Sequence, residues 1–577
     1  MIDNTIPRVE YRNPRAELRL VQRREALRLF VSAAAISVLA ACGPAAPAPA
    51  AATQAPAKPA PTPASAAASA PTSAPAAPTP ALQARAAQAA QPKPGGTLTA
   101  GMIGDLGSIE GHQVTQATVN VTFLAYDRLI EYDDKLTAQP MLAESWDISS
   151  DLKQFKLNLR KGVQFHTGRE LTSDDVKYNL ERVRDPKLAG VVGALAAESA
   201  WFNSIETPDK YTVVLSSEKP RPGAFDFFEY LNILDKDTAE SPKSRTKAVG
   251  TGPFQFIEWI QGDHFTFVRN KNYWRSGRPY LDGLTIKVFA DAQAQIAQLE
   301  AGVLDLADSP PVRDAARLRQ DPRYTYTGTF IGGQYFCVFI NTCVPPLDNK
   351  TVRQALNYAL DRQRFADTVM VKLVGPGQDL PWPPQAGAAE PAKNTAYAFN
   401  LDKAKSLLAS TGVGDFEIDI LYHNLAYPTE INALAQFYQA DLAKIGVKAN
   451  LRVLDFPSFT DMVLNQPYHG LAIAGGAFAH LAESTTAFTT GRGANLVQQN
   501  WSHYKNDELS QLILGAGIEP DPAKRKQLYS QINDKFLDEV PNMPVSLYPA
   551  MSLTKNSVHG IRYNLLPGLV YTDAWLG

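Results

Sequence analysis

The sequence predicts an α/β protein, because stretches with strand periodicity alternate along the chain with stretches of helical periodicity. In "QFKLNLR" at 154–160, apolar and polar residues alternate one by one, a pattern typical of a half-buried strand. In "PTEINALAQFYQADLAKIG" at 428–446, apolar residues recur every three or four positions, which predicts a helix that ends at Gly446. The stretch "VKANLRV" follows at 447–453 and again alternates like a strand.

Helix starts can be assigned from capping residues. Thr172 is followed three residues later by Asp175, which is the spacing of a reciprocal N-terminal cap. In "LDNKTVRQALNYALDR", Asp348 or Asn349 can cap the helix that follows. These signals place helices between the predicted strands.

Residues 1–41 have the layout of a secretory signal peptide, with an arginine-rich start, an apolar run and small residues at the end. The apolar run from Leu27 to Ala41 is about fifteen residues long, whereas a membrane-spanning helix needs roughly twenty. The pair Arg23-Arg24 leaves open whether export uses the general or the twin-arginine route.

The leader stops at Cys42, and "LAAC" at 39–42 resembles a bacterial lipobox. In lipoproteins of that kind the cysteine thiol is lipidated and becomes the new N-terminus. An ordinary signal peptide followed by a chance cysteine is the alternative.

Residues 42–94 are predicted to be a disordered tether that starts at the lipidated cysteine. Alanine, proline, serine and threonine dominate this stretch, which has almost no large apolar side chain. Such a segment buries too little surface to offset its ordering entropy. A proline-rich chain is extended, at about 3.1 Å per residue, so this stretch could hold a folded domain on the order of 150 Å from a membrane.

The formal net charge of −2 argues against a nucleic-acid partner, because binding phosphates requires a basic surface. Besides Cys42 the chain has only Cys337 and Cys343. They could pair in an oxidising compartment or remain two thiols.

A search for catalytic or metal-binding motifs finds none. The chain lacks a Gly-x-Ser-x-Gly elbow, a phosphate loop, a Cys-x-x-Cys pair and a His-Glu-x-x-His helix. The eight histidines are scattered, with none at metal-ligand spacing. We therefore expect no enzyme, no metal and no cofactor.

Six motifs in four stretches of the chain carry a resemblance to a known family. The stretch 126–183 holds "YDRLIEYDDKLTAQPMLAESW" and "FKLNLRKGVQFHTGRELTSDDVKYNLERV". The stretch 249–284 holds "VGTGPFQFIEW" and "RNKNYWRSGRPYLDGL", and the stretches 341–362 and 399–412 hold "NTCVPPLDNKTVRQALNYALDR" and "FNLDKAKSLLASTG". The motifs occur in family order along nearly all of the mature chain, and together they resemble the bacterial extracellular solute-binding proteins of family 5, the dipeptide and oligopeptide type that serves ATP-driven importers.

The resemblance implies a two-lobed periplasmic-binding-protein fold of class II type, with an inserted subdomain and a hinge of two strands. The expected division is 95–125, 246–335 and 545–577 for lobe I, 126–245 for the inserted subdomain, and 336–544 for lobe II. The hinge strands would be "YFCVFIN" and "PVSLYPA". Closure on a ligand would be a hinge motion biased by that ligand.

The resemblance also places the ligand between the lobes. The loop "GSIEGHQ" at 107–113 matches a loop that lines the cleft in relatives, and the segment "IAGGAFAHLAES" at 473–484 matches the one that holds the ligand end in peptide binders. The expected ligand-binding residues from these two segments and from two aromatic positions are Glu110, His112, Gln113, Tyr335, Trp382, Gly475, Gly476, Phe478, His480 and Glu483.

The 473–484 segment departs from the family pattern. Peptide-binding relatives place an aspartate there, which pairs with the α-amino group of the peptide, and this segment has none. Glu483 is the expected substitute, unless the ligand carries no free amine. Tyr335 and Trp382 are expected as aromatic walls, with a core role for Tyr335 as the alternative.

The resemblance implies the extracytoplasmic substrate-binding component of an ABC importer, which captures di- or oligopeptides and delivers them to the inner-membrane permease. Other solutes, namely oligosaccharides, opine-like compounds or chelated nickel, are alternatives in the same role, and a tethered hydrolase is an alternative of another class. The protein is expected to be a monomer, held by its lipid at the outer face of the cytoplasmic membrane.

Overall fold

The computed structural model describes residues 91–577, except 189–191, 193–194, 242, 244–245, 331–333, 375–376, 424–427, 467, 478–499 and 566–567. These residues belong to one compact unit. The strands are β1 (Thr97–Ile103), β2 (Ile130–Tyr132), β3 (Ala138–Pro140), β4 (Ala143–Ile148), β5 (Gln154–Leu159), β6 (Ser204–Asp209), β7 (Thr212–Ser216), β8 (Phe254–Ile260), β9 (His264–Arg269), β10 (Gly283–Phe289), β11 (Leu306–Asp308), β12 (Tyr324–Thr329), β13 (Tyr335–Ile340), β14 (Phe416–His423), β15 (Val447–Leu454), β16 (Gly470–Ala477), β17 (Asn542–Leu547), β18 (Ala550–Lys555), β19 (Val558–His559), β20 (Arg562–Tyr563), β21 (Leu569–Val570) and β22 (Trp575–Leu576).

The α-helices are α1 (Gln116–Ala125), α2 (Ser173–Arg182), α3 (Leu195–Ala200), α4 (Ala224–Tyr230), α5 (Lys236–Ala239), α6 (Ala292–Glu300), α7 (Val312–Leu318), α8 (Lys350–Tyr358), α9 (Arg362–Arg364), α10 (Leu401–Ser410), α11 (Pro428–Ala443), α12 (Phe456–Asn465), α13 (Asp507–Ile518) and α14 (Pro522–Glu539). Short 3₁₀ turns occur at Pro186–Leu188 and Pro391–Lys393, and a π-helical turn at Phe365–Val369 follows α9.

A seven-stranded sheet forms the centre of the first lobe, in the order β12-β18-β11-β1-β10-β9-β8. Strand β1 is parallel to β10 and β11, whereas β18 is antiparallel to β11 and β12. Helices α6 and α7 cover one face of this sheet, and α1 packs on the other. The lobe buries apolar side chains on both faces of its sheet, as mostly parallel sheets do.

A five-stranded sheet forms the centre of the second lobe, in the order β15-β14-β16-β13-β17. Strand β14 is parallel to β15 and β16, whereas β13 is antiparallel to β16 and β17. The arrangement β10-β1-β11-β18-β12 in the first lobe therefore has the same order and directions as the whole sheet of the second. This repeated architecture confirms the predicted two-lobed α/β fold.

Two short crossovers join the sheets. The chain leaves β12 at Thr329 and enters β13 at Tyr335, and it returns from β17 at Leu547 to β18 at Ala550. Thr329 is paired with Ala550, and Tyr335 with Leu547. The two crossovers therefore begin and end next to each other, and the backbone N–H of Tyr548 donates to the carbonyl of Gln334 at 2.7 Å. We keep the exact lobe boundaries as a prediction.

A separate small sheet lies between α1 and β8 in the sequence. Its four strands have the order β4-β5-β7-β6, and the hairpin β2-β3 accompanies it. Its apolar cluster includes Phe155, Leu157 and Leu159 from β5, the alternating strand predicted from the sequence. This sheet has its own core, as an inserted subdomain requires.

The capping signals act as the sequence predicts. The backbone N–H of Thr172 donates to the Asp175 carboxylate at 2.9 Å, and the Asn349 side chain accepts the N–H of Thr351 at 2.9 Å. Gly446, just beyond α11, has φ 83°, a backbone conformation that glycine adopts without strain. Local residue chemistry thus sets these helix ends.

The glycines of "GTGPF" at 250–254 allow a close approach between two backbone segments. A Cβ on Gly250 would lie 2.3 Å from the carbonyl oxygen of Ala125, and one on Gly252 would lie 2.5 Å from its carbonyl carbon. The backbone of this motif therefore runs against the end of α1, with no space for a side chain.

Cys337 is a buried free thiol and Cys343 is an exposed one, so no disulfide joins them. Within the described part of the chain, no helix is both long and apolar enough to cross a bilayer.

Candidate functional site

The carboxyl ends of the parallel strands of the two sheets lie next to the crossovers. In the first lobe, Asp308 at the end of β11 is paired with Ser552, two residues into β18. In the second lobe, Ala477 at the end of β16 is paired with Tyr335, where β13 begins. Both edges therefore lie beside the ends of the two short crossovers that join the sheets.

The strand order identifies one crevice in each lobe. In the first lobe, β1 has β10 on one side and β11 on the other, and in the second lobe β14 lies in the same way between β15 and β16. Ligands of open α/β sheets bind outside the carboxyl ends of the strands where the strand order reverses. The candidate site is therefore bounded by the ends of β1 and β11 in the first lobe and of β14 and β16 in the second.

The second-lobe side of this site is aromatic. His423 ends β14, is buried, and meets Phe456 and Phe459 edge to face, with centroid distances of 5.1 and 5.0 Å. Burial lowers the pKa of His423, which favours the neutral imidazole. Phe456 is 38% exposed and Val453 is 57% exposed. This edge therefore offers apolar surface to a ligand.

A β-bulge lies where β16 reaches the site. Phe336 is paired with Gly475 and Tyr335 with Ala477, so Gly476 is an extra residue between two ladder positions. Bulges bend a strand and are frequent beside binding sites. The structure thus brings the predicted residues Gly475, Gly476 and Tyr335 together at this edge.

Tyr335 is fully buried among apolar side chains of the second lobe. Burial raises the pKa of its phenol well above the usual value, and its hydroxyl has no hydrogen-bond partner among the described residues. A spare hydroxyl group therefore lies beside the bulge.

The first-lobe side combines an apolar strand end with a fixed loop. Ile103 ends β1 and is 37% exposed. The carboxylate of Asp105 accepts hydrogen bonds from the indole of Trp259 at 3.0 Å and from the N–H of Gly262 at 2.6 Å. These bonds fasten the loop after β1 to the turn between β8 and β9.

Asp308 is a buried acid at the end of β11. The amide of Asn120 donates to one carboxyl oxygen at 2.9 Å, and the hydroxyl of Tyr563 donates to the other at 3.4 Å. Burial raises the pKa of Asp308 to about 7, against the effect of the Asn120 hydrogen bond. Asp308 was not among the residues singled out from the sequence.

Glu110 and His112, expected to bind ligand, are instead buried inside the first lobe. Nη1 of Arg182 lies 2.9 Å from Oε1 of Glu110 and donates to Nδ1 of His112 at 2.9 Å. Nε2 of His112 then donates to the carbonyl of Asn232 at 3.1 Å. Burial, followed by the charge of Arg182, lowers the pKa of His112 to about 3. Their polar atoms hold the 107–113 loop against Arg182 and Asn232, and their ligand roles stay predictions.

Gln113 is half-buried, and its backbone carbonyl accepts the Thr118 hydroxyl at 2.5 Å, just before α1. This contact gives it a place in the start of α1, so its ligand role stays a prediction.

Trp382, whose role as an aromatic wall stays a prediction, is buried in an apolar cluster of the second lobe. It is buried against α13 and α14, and its indole N–H donates to Asn533 at 2.6 Å. Because its single polar atom is satisfied inside the second lobe, packing accounts for this tryptophan.

Phe478, His480 and Glu483 lie outside the described residues, and their ligand roles stay predictions. In the described ranges, no group of three or more His, Cys, Asp or Glu side chains could hold a metal ion.

Comparisons with known proteins agree with this architecture. The family model described as "Bacterial extracellular solute-binding proteins, family 5 Middle" matches residues 137–498. Heme-binding protein A of Haemophilus influenzae is 30% identical over 451 residues, covering 73% of this chain and 81% of the relative. Di/tripeptide-binding protein 1 of Pseudomonas aeruginosa is 28% identical over 496 residues, which cover 79% of this chain and 90% of the relative.

The structural comparison supports the fold. A dipeptide binding protein from Pseudoalteromonas sp. SM9913, solved with Met-Leu, has a TM-score of 0.74 at 23% identity and covers 84% of this chain and 100% of its own. The family model and the relative at 30% identity point to the same family, and the two similar sheets fit it. The chain belongs to the bacterial extracellular solute-binding proteins, family 5.

Proposed function

We propose that this chain is the ligand-capturing component of an ATP-driven importer, acts as a monomer, and closes its two lobes on a di- or oligopeptide before delivery to the permease. The observation that supports the proposal is that each sheet presents the carboxyl ends of its parallel strands beside the ends of the two crossovers. A ligand held by both edges favours the closed form over the open one, which is how such a hinge responds to cargo.

Heme is a second candidate cargo. The Haemophilus influenzae relative is named for heme binding, and the second-lobe edge exposes Phe456 and Val453 beside the neutral imidazole of His423. A flat apolar ligand would bury that surface, at roughly 25 cal/mol per Å² removed from water.

A bound cargo molecule should stabilise the protein against unfolding and should be recovered chemically unchanged. Thermal unfolding is measured with di- and tripeptides, with hemin, and with no addition. At a ligand concentration 100 times Kd, mass action on the native state adds about 2.7 kcal/mol to the free energy of unfolding, which raises Tm. Mass spectrometry of the recovered cargo checks the class of protein, because hydrolysed cargo would indicate an enzyme instead.

We propose that Cys42 carries a lipid that holds the protein at the outer face of the cytoplasmic membrane. Cys42→Ser should move the protein from the membrane fraction to the soluble fraction, or stall its processing, since the lipid acceptor is lost. Cys343→Ser is the matched control, because Cys343 is an exposed thiol in the folded part, and it should stay with the membrane. Lipid labelling of the Cys42→Ser variant at the parental level would contradict the anchor.

A further inference from the structure

Asp308 is a buried carboxyl group with no cationic side chain beside it among the described residues. The groups that face it from the surrounding elements are Asn120 of α1, Tyr563 and Tyr571 of the C-terminal segment, and its neighbour Ser309. In the described part of the chain, no lysine or arginine forms an ion pair with Asp308. An ionised carboxylate here would be held only by neutral donors, and a buried charge of this kind is costly until it is paired.

Two further features distinguish the surroundings of Asp308 from an apolar core. Ser309 has φ 51°, an uncommon conformation for a residue other than glycine, and such backbone concentrates at functional sites. Ser552 lies opposite Asp308 in the ladder, and its buried hydroxyl approaches the phenol of Tyr563. Polar side chains therefore gather around the end of β11.

The position of Asp308 is that of a ligand site. It ends the strand next to β1, at the crevice where the strand order of the first lobe reverses, and it adjoins the returning crossover through the bond from Ser309 N–H to the Met551 carbonyl at 2.9 Å. About 8% of the residue remains exposed. Among the residues that end β1, β11, β14 and β16, Asp308 is the one acid.

We propose that Asp308 receives a primary ammonium group of the bound ligand, and that binding transfers the carboxyl proton to the solvent. The inference rests on the proposed ligand-capturing function and specifies the charge that the first lobe recognises. Atoms and charges balance in this step, because a neutral carboxylic acid and an ammonium ion form a carboxylate–ammonium pair and one proton is released to the buffer.

This assignment differs from the one that the sequence favours, in which Glu483 of the second lobe takes the cation. The two acids lie in different lobes by sequence, so variants can separate them. Burial keeps Asp308 largely protonated below its pKa of about 7, and a neighbouring cation favours ionisation.

The test is calorimetric titration of the full-length protein with Met-Leu near pH 6, in two buffers of different ionisation enthalpy. The α-amino group of a peptide is fully charged there, and Asp308 is about nine-tenths protonated if its pKa is about 7. We expect release of close to one proton per bound peptide. N-acetyl-Met-Leu, which lacks the cation, should bind at least tenfold more weakly and release none.

Variants identify the residue that releases the proton when Met-Leu binds. Asp308→Asn should abolish the release and weaken Met-Leu binding at least tenfold. Glu229→Gln, which replaces another buried acid by its amide in α4, should leave affinity within threefold and release unchanged. Loss of the release in Glu483→Gln, with release retained in Asp308→Asn, would overturn the proposal.

Other outcomes separate this inference from the proposed function. Binding of Met-Leu without proton release by the parent protein overturns the role of Asp308, and this measurement needs no variant to fold. Binding of hemin or N-acetyl-Met-Leu, but not of Met-Leu, also overturns it while the ligand-capturing function stands. Failure of every peptide and of hemin to bind would contradict both.

Discussion

Arg182→Met should lower the free energy of unfolding by about 3 to 5 kcal/mol, because it leaves the Glu110 carboxylate buried without its partner. Both side chains of this pair are almost fully buried, at 5% and 3% exposure. The change also removes the donor to Nδ1 of His112, which fixes the tautomer of that ring. Denaturant unfolding at pH 7 measures the effect.

Lys177→Met on the same helix is the matched control. Lys177 forms an exposed pair with Glu181 at 4.0 Å, and exposed pairs of this kind contribute well under about 1 kcal/mol. If Arg182→Met costs less than about 1 kcal/mol and instead weakens ligand binding alone, Glu110 is a ligand residue after all.

Glu229→Gln should remove a large pH dependence of stability. Both carboxyl oxygens of Glu229 are buried, and the backbone of Leu565 approaches this carboxyl group closely enough to oppose part of the rise in its pKa. Burial raises its pKa to about 8, while the nearby charge of Arg128 opposes the rise and Asp226 and Glu131 add to it. The folded state therefore retains a proton that the unfolded chain loses near the ordinary pKa of about 4.3.

The direction of the pH dependence follows from the difference between the folded and unfolded pKa values of Glu229. Stability from Glu229 is fully present below the pKa of the unfolded chain and is lost as the pH rises to about 8, since the folded state binds more protons in between. Between pH 5 and pH 8 the parent should lose roughly 3.5 kcal/mol relative to Glu229→Gln, because each pH unit between the two pKa values is worth about 1.36 kcal/mol and the loss levels off near the folded pKa. Unfolding curves of both proteins at these pH values test this, and parallel pH profiles would contradict it.

Elements whose signals are local could be predicted from the sequence. Strand β5 and the end of α11 near Gly446 occur where alternation and helical periodicity place them. Asn349, one of two candidates, is the cap of α8. Such features depend on residues a few positions apart, and the chain shows those directly.

The site could be predicted only in part, because its contacts join distant residues. Glu110 looked like a cleft residue, but its partner Arg182 is 72 positions away. Trp382 is held by Asn533, 151 positions further on. Asp308 escaped notice because "LADSPP" reads as an ordinary strand end, and Asn120 and Tyr563 lie 188 and 255 positions from it. Only the assembled sheets bring such residues together.

The route of the chain through the two sheets also fixes the order in which they can be completed. All strands of the five-stranded sheet lie within 335–547, so they have emerged before β18 begins at Ala550. The seven-stranded sheet cannot be completed before β18 is available, because β18 lies between β11 and β12 in the strand order. During synthesis or export from the N-terminus, the first lobe to begin is therefore the last to finish. A chain truncated before Ala550 would carry two open strand edges, which are templates for aggregation.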